Sequence, residues 1–266
     1  MSVFDDMGIY WAEIADQSST QAQIQFIKNT LKVNGLVLDL ACGTGRHSIS
    51  LSKEGYDVVG LDVSLNLLKI AKNRWRSVQL IRGDMRFLPF KAGAFSASVS
   101  MDTSLGYLTS EQDDMQSLME LQEALSQGGD LIVDVFNREN LMLKYNANRR
   151  VEFKWVVLPI LLKFNSRLAR RVLFRFFKWR EYPTFFLLQK RTVKASGDKL
   201  GDLWVVYDKA QGQIKVFRHT ARLYELKHLQ ALLEKTGFMV RRVYGSYEGQ
   251  SFSSNSRRLI LVASKK

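Results

Sequence analysis

Between residues 36 and 135 the chain alternates short apolar, β-branched runs with stretches whose apolar residues recur three and four apart. A period of two marks a strand and a period near 3.6 a helix, so the alternation predicts a βαβ sheet. "LVLDLA" (36–41), "YDVVGLD" (56–62), "SVQLIRG" (77–83), "FSASVSM" (95–101) and "DLIVDVF" (130–136) read as strands. Residues 46–54, 64–75 and 111–127 read as helices between them. In the last of these Met115, Leu118, Leu121 and Leu125 recur at helical spacing, and Gly128-Gly129 offers a stop. A helix over 224–236 and two strands, "FMVRRVYGSY" and "RRLILVASK", close the chain. Residues 137–220 then form an insertion that divides a domain made of 1–136 and 221–266. The second half of the insertion reads as a small antiparallel sheet, with "DKAQGQ" turning one hairpin.

Charge changes this picture in one place. The net charge of +13 is local: residues 141–200 hold 15 Lys and Arg against 3 Asp and Glu, and the other 206 residues are almost neutral. If about 157–180 is one helix, Lys163, Arg167, Arg170, Arg171, Arg175 and Lys178 share an arc opposite Leu161, Leu168, Val172, Phe176 and Trp179. Such a basic amphipathic helix fits three roles. It could cover a pocket, rest on an anionic membrane through 160–180, or contact RNA or another polyanion. One cysteine, Cys42, excludes an intramolecular disulfide framework and fits a reducing compartment. No apolar run approaches the roughly 20 residues of a spanning helix, and the acidic N-terminus lacks a leader's apolar core. The expected location is cytoplasmic or peripheral to a membrane.

Candidate chemistry starts in "VLDLACGTGRHS". Asp39, Gly43 and Gly45 lie at the carboxyl end of a buried strand just before a helix, where glycines let backbone approach a ligand. The dinucleotide fingerprint asks for a third glycine, but Gly43-Thr44-Gly45 runs into Arg46-His47-Ser48. Asp62 ends the second strand, where a carboxylate can accept both ribose hydroxyls. "RGDMRFLPF" then places Asp84 to accept from an adenine amino group, with Met85 against the ring.

Taken in order, "LDLACGTGRHS", "GYDVVGLDVSLNLLKIAK", "RGDMRFLPF", "FSASVSMDTSLGYL" and the closing segment resemble the class I S-adenosylmethionine-dependent methyltransferases. The resemblance covers about 8–136 and 220–264. It implies an α/β fold: a doubly wound, Rossmann-like sheet of seven mostly parallel strands, the last antiparallel, plus an α+β cap insertion. It implies S-adenosyl-L-methionine as cofactor and S-adenosyl-L-homocysteine as product. By the same resemblance Asp39 orders the glycine loop, and Ala41, Gly43 and Gly45 pass along the methionine moiety. Asp62 binds ribose with Val63 beside it in the cofactor-binding set, Asp84 and Met85 take the adenine, Met101 borders the sulfonium, and Tyr10 is a lid residue.

Methyl transfer asks the protein chiefly to align an acceptor and exclude water, with a base only where the acceptor must lose a proton. "MDTSLGYL" lacks the Asn/Asp-Pro-Pro-aromatic loop of enzymes acting on exocyclic base nitrogens. It resembles relatives that methylate small molecules, some of them amines and amino sugars. A small-molecule N or O acceptor is therefore expected, with a lipid or quinone at a membrane, or RNA, as alternatives. Acceptor-side candidates are Asp102, which suits a turn cap or a base; Tyr107, a pocket wall or a packed ring; His219, on a strand; and Tyr224. The three histidines are too scattered for a metal site.

Overall fold

The computed structural model describes residues 3–16, 20–31, 33–144 and 178–266. The elements run α1 (Val3–Asp16), α2 (Thr20–Thr30), β1 (Val37–Leu40), α3 (Arg46–Lys53), β2 (Val58–Asp62), α4 (Leu65–Arg74), β3 (Gln79–Arg82), β4 (Phe95–Ser100) and α5 (Glu111–Ala124). After them come β5 (Leu125–Phe136), α6 (Arg138–Lys144), β6 (Lys178–Glu181), β7 (Phe185–Val193), β8 (Lys199–Asp208), β9 (Ile214–Arg222), α7 (Leu226–Lys235), β10 (Phe238–Tyr244) and β11 (Arg258–Lys265). They divide into two compact units, residues 1–141 with 222–266 and residues 142–221.

In the first unit seven strands are ordered β10-β11-β5-β4-β1-β2-β3, and β11 is antiparallel to both of its neighbours. Alternate residues of each central strand feed opposite faces, so both faces need apolar side chains. Val37, Val58, Ala97 and Ile132 pack beneath Ile24, Ile27 and Leu51 of α2 and α3. Leu38, Val59, Leu131 and Leu261 pack with Leu118 and Leu121 of α5 and Leu229 and Leu232 of α7. Strand order reverses at β1, which lies between β2 and β4. Connections leave in opposite directions there, and a crevice opens at the strands' carboxyl ends.

The second unit holds a four-stranded sheet ordered β6-β7-β8-β9. Its last turn is built on Asp208, whose carboxylate accepts from the backbone N–H groups of Ala210 (2.9 Å) and Gln211 (2.8 Å).

Three readings of the sequence need correction. The helix expected to run to 127 ends at Ala124, because Leu125 already pairs with Phe95. Gly128 (φ +72°) and Gly129 lie inside β5, where the register jumps from Leu125 to Asp130 against only Phe95 to Ala97. The glycines thus make a bulge and do not stop a helix. The basic helix expected to reach 180 cannot include Lys178–Arg180, which are β6; Trp179 there stands 5.0 Å from the ring of Phe186 on β7. The remainder of that segment lies outside the described residues. Helices α1, α2 and α6 were not expected at all. No helix among the described residues is long and apolar enough to cross a membrane.

Candidate active site

The crevice is a cavity in the first unit, and its floor is the loop between β1 and α3. Asp39, 1% exposed, accepts from Ser48 through the backbone N–H (2.9 Å) and Oγ (2.5 Å), tying the strand to the first turn of α3. Burial raises its carboxyl to about 6. Ala41 (φ +55°) and Gly43 (φ +55°) take left-handed conformations. For Ala41 that is a strained choice, of the kind that concentrates at ligand sites. Both residues line the cavity; Gly45 does not. Gly45 begins α3, and a Cβ there would lie 2.9 Å from Ala71 Cβ, so its smallness serves the packing of α4.

Asp62 closes the next side. Its two oxygens accept from the N–H groups of Gly43 and Ser64, each at 2.8 Å. A carboxylate has about four acceptor directions, more than the backbone donors of Gly43, Val63 and Ser64 fill, so it can still accept from a ribose hydroxyl. Burial raises its carboxyl above the ordinary range. Asp84 and Met85 follow β3 on the cavity wall. The Asp84 carboxylate is gripped by Arg86 through Nε (3.1 and 3.2 Å) and Nη2 (2.7 Å), and that guanidinium holds it below its usual value. Val63 and Met101 complete this end. The lone-pair count at Asp62 and the open space at Gly43, where a Cβ would stand 3.9 Å from Trp11 Nε1, fit S-adenosylmethionine. Asp62 would hold the ribose, Asp84 and Met85 the adenine, and the glycine loop the methionine moiety.

The aromatic residues that α1 contributes are not the expected one. Tyr10 is buried outside the cavity lining, whereas Phe4 and Trp11 form part of the wall. Helical geometry turns each successive residue by about 100°, so only one of the Tyr10-Trp11 pair can face inward. Phe4 stands edge-on to Trp11 and to Tyr107, 5.0 Å from each. Asp5 anchors this segment by accepting from Ser64 Oγ (2.5 Å) and Asn66 N–H (3.3 Å) at the start of α4.

Past β4 the chain makes two left-handed residues in succession, Asp102 (φ +56°) and Thr103 (φ +69°). Asp134 of β5 holds this turn: its Oδ2 accepts from Asp102 N–H (3.0 Å) and its backbone oxygen from Thr103 N–H (2.8 Å). Asp102 lines the cavity in an ion pair with Arg46 and accepts from Gln23 Nε2 (2.9 Å). Burial alone would raise its carboxyl, but Arg46 and then Arg258 pull it below the ordinary value. His47, also on the wall, is held down to about 3 by burial and then by Arg46.

Tyr107, for which both a pocket wall and a packed ring were open, lines the cavity. Tyr224 does not; its hydroxyl donates to Asp114 (2.6 Å), and burial followed by Asp114 drives its pKa far up. Asp114 is wholly buried, pairs with Arg222 and accepts from Gly106 N–H (3.1 Å), while Gly106 O accepts from Arg222 N–H (2.7 Å). Tyr224 thus anchors the loop that carries Tyr107. His219 belongs to the second unit, where Nε2 stands 3.8 Å from Asp202 and the ring edge-on to Trp204. The residues that sequence reasoning missed are Phe4, Trp11, Gln23, Arg46 and Asp134. Only Arg46, inside the glycine-loop motif, carried a signal.

Comparison with known proteins agrees with this geometry. Residues 37–129 match a family model described as a methyltransferase domain. Over 154 residues the chain is 35% identical to a glycine/sarcosine N-methyltransferase of Parasynechococcus marenigrum, covering 55% of each chain. Over 99 residues it is 39% identical to a dTDP-3-amino-3,4,6-trideoxy-α-D-glucopyranose N,N-dimethyltransferase of Streptomyces venezuelae, covering 37% of this chain and 41% of that one. The solved structure of an S-adenosylmethionine-dependent methyltransferase from Clostridium acetobutylicum shares the fold, with a TM-score of 0.73 at 18% identity over 97% of this chain and 96% of that one.

Proposed function

We propose, from the premise that this chain is a class I S-adenosylmethionine-dependent methyltransferase, that its acceptor is the nitrogen of a small-molecule amine. When bound, the cofactor supplies a methyl carbon activated by its sulfonium. A methylated amine would lose its proton to solvent, so the residues of the wall would need only to orient the amine N–H and exclude water.

The observation that carries this reading is the ionised Asp102 on the cavity wall. Paired with Arg46, it is a weak base but a good acceptor for an amine N–H. An alcohol would need a group that takes its proton during transfer. Tyr224 is buried against Asp114, and His47 is a very weak base, so neither suits that task. The aromatic wall of Phe4, Trp11 and Tyr107 suits a cationic methylated product, since ring faces attract ammonium groups. The two N-methylating relatives support the same choice.

The test is transfer of isotopically labelled methyl from S-adenosylmethionine into fractionated small-molecule extract, with sarcosine and an amino sugar as defined acceptors. Label in amines that turn cationic on methylation is expected. Label confined to hydroxyl ethers, extractable lipid or RNA would overturn the reading.

A further inference from the structure

Gln23 of α2 is 1% exposed, and its single amide meets four partners. The amide can sit only one way round. Arg46 Nη1 brings a donor at 2.7 Å, so the oxygen must face it, and Asp102 Oδ1 is an acceptor at 2.9 Å, so the NH2 must face that carboxylate. The other two partners then have no choice. An amide oxygen only accepts, so His47 Nε2, 3.0 Å away, must carry the ring proton. An amide nitrogen only donates, so Tyr247 OH accepts from it at 2.9 Å and sends its own proton to Asp134 Oδ2 at 2.7 Å. Asp134 takes Arg258 Nε (2.7 Å) on its other oxygen, and Arg258 Nη2 donates to Thr103 Oγ1 (2.8 Å). The turn carrying Asp102 is thus gripped from both sides, and the titratable and charged groups around the carboxylate are Arg46, His47, Arg258, Asp134 and Tyr247, with Gln23 as the neutral donor.

We propose that Gln23 is the positioning residue of the acceptor end, fixing Asp102 as a pure hydrogen-bond acceptor and His47 as its Nε2–H tautomer. This rests on reading Asp102 as the acceptor-side group. With Arg46 on one oxygen and Gln23 on the other, the carboxylate cannot swing. An amine N–H laid on it therefore meets a carboxylate of fixed orientation, and the nitrogen lone pair is left for the incoming methyl. An apolar side chain of the same length would leave His47 Nε2 without the oxygen that fixes its tautomer and take one donor from Asp102, while Arg46 keeps Thr20 and Asp102, and Tyr247 keeps Asp134.

The experiment is nuclear magnetic resonance of the full chain labelled with ¹⁵N and ¹³C, reading imidazole nitrogens near neutral pH and aspartate carboxyls down to roughly pH 2. In the wild type His47 should be a single Nε2–H tautomer. Gln23→Met should give a mixture of tautomers and a raised Asp102 titration. Gln23→Glu keeps an oxygen for Arg46 and His47, so it should keep the single Nε2–H tautomer; its new carboxylate raises the Asp102 titration by like charge, so the tautomer is the readout for this variant. S-adenosylhomocysteine should bind each folded variant within about threefold of wild type by calorimetry. A mixed His47 tautomer in Gln23→Glu overturns the proposal, even if Gln23→Met does not fold; so does a mixed His47 tautomer in the wild type. Failure of the wild type to bind S-adenosylhomocysteine strikes the methyltransferase reading instead and leaves the resonance result standing.

Discussion

Asp39 reaches Ser48 nine residues on, and Asp62 reaches Gly43 nineteen residues back, whereas Asp102 meets Gln23 across 79 residues and Thr103 meets Arg258 across 155. The Asp39–Asp62 end of the cavity is tied by hydrogen bonds between near neighbours in sequence, and the Asp102 end by α2, α3, β5, β11 and the loop that carries Tyr247. Local contacts re-form whenever the loop folds and keep their residue spacing. Distant ones depend on the whole sheet and tie acceptor geometry to global stability.

That difference can be broken at its strongest point. Asp134→Ala should leave the buried Arg258 guanidinium without its carboxylate and cost about 3–5 kcal/mol. Urea unfolding would read this as a lower midpoint; a loss under 1 kcal/mol would contradict the picture. Asp62→Ala acts at the other end. It should weaken S-adenosylhomocysteine binding by about 100-fold in calorimetry, the loss of hydrogen bonds to one charged group. Its unfolding midpoint should move much less than that of Asp134→Ala. Unchanged binding would remove Asp62 from the cofactor site.

Acid sharpens the comparison. His47 titrates near 6.5 when unfolded and at about 3 when folded, so between those values the unfolded chain holds more protons. Its stabilising contribution is complete above pH 6.5 and is lost as pH falls, by at most about 1.4 kcal/mol per pH unit. Asp39 runs the other way. Raised from 3.8 to about 6, it binds more protons folded than unfolded, so its contribution falls as pH rises through that window. His47→Gln should therefore unfold less readily, relative to wild type, near pH 4.5 than near pH 7. Parallel unfolding curves for the two proteins would contradict the assignment. The smallest effect is expected from Tyr224→Phe, which removes one hydroxyl from Asp114 and should cost about 1 kcal/mol. Because Tyr224 anchors a loop and moves no proton, the pH profile of turnover should keep its shape; loss of a limb would restore Tyr224 as a base.

Legibility in the sequence follows the same divide. Asp39, Ala41, Gly43, Asp62, Val63, Asp84, Met85 and Met101 were named from motifs, and all of them line the cavity. Gly45, named with them, is not part of the lining, and a Cβ there would meet Ala71 of α4. Of four acceptor-side candidates, Asp102 and Tyr107 reach the wall, Tyr224 stands behind it, and His219 lies in the other unit. Tyr10, named by resemblance as a lid residue, is buried outside the lining while its neighbour Trp11 is part of it, because adjacent residues of a helix differ in facing, which its packing partners decide.

By itself the sequence determined the alternating sheet, the strand ends that carry carboxylates and the glycine loop between β1 and α3. These depend on periods of two and 3.6 and on hydrogen bonds spanning fewer than about 20 residues, which spacing records directly. Only the tertiary structure decided that Gln23, outwardly an ordinary helix residue, directs Arg46, His47, Asp102 and Tyr247. The contacts of one buried amide across 79 and 224 residues leave no periodic trace in a chain.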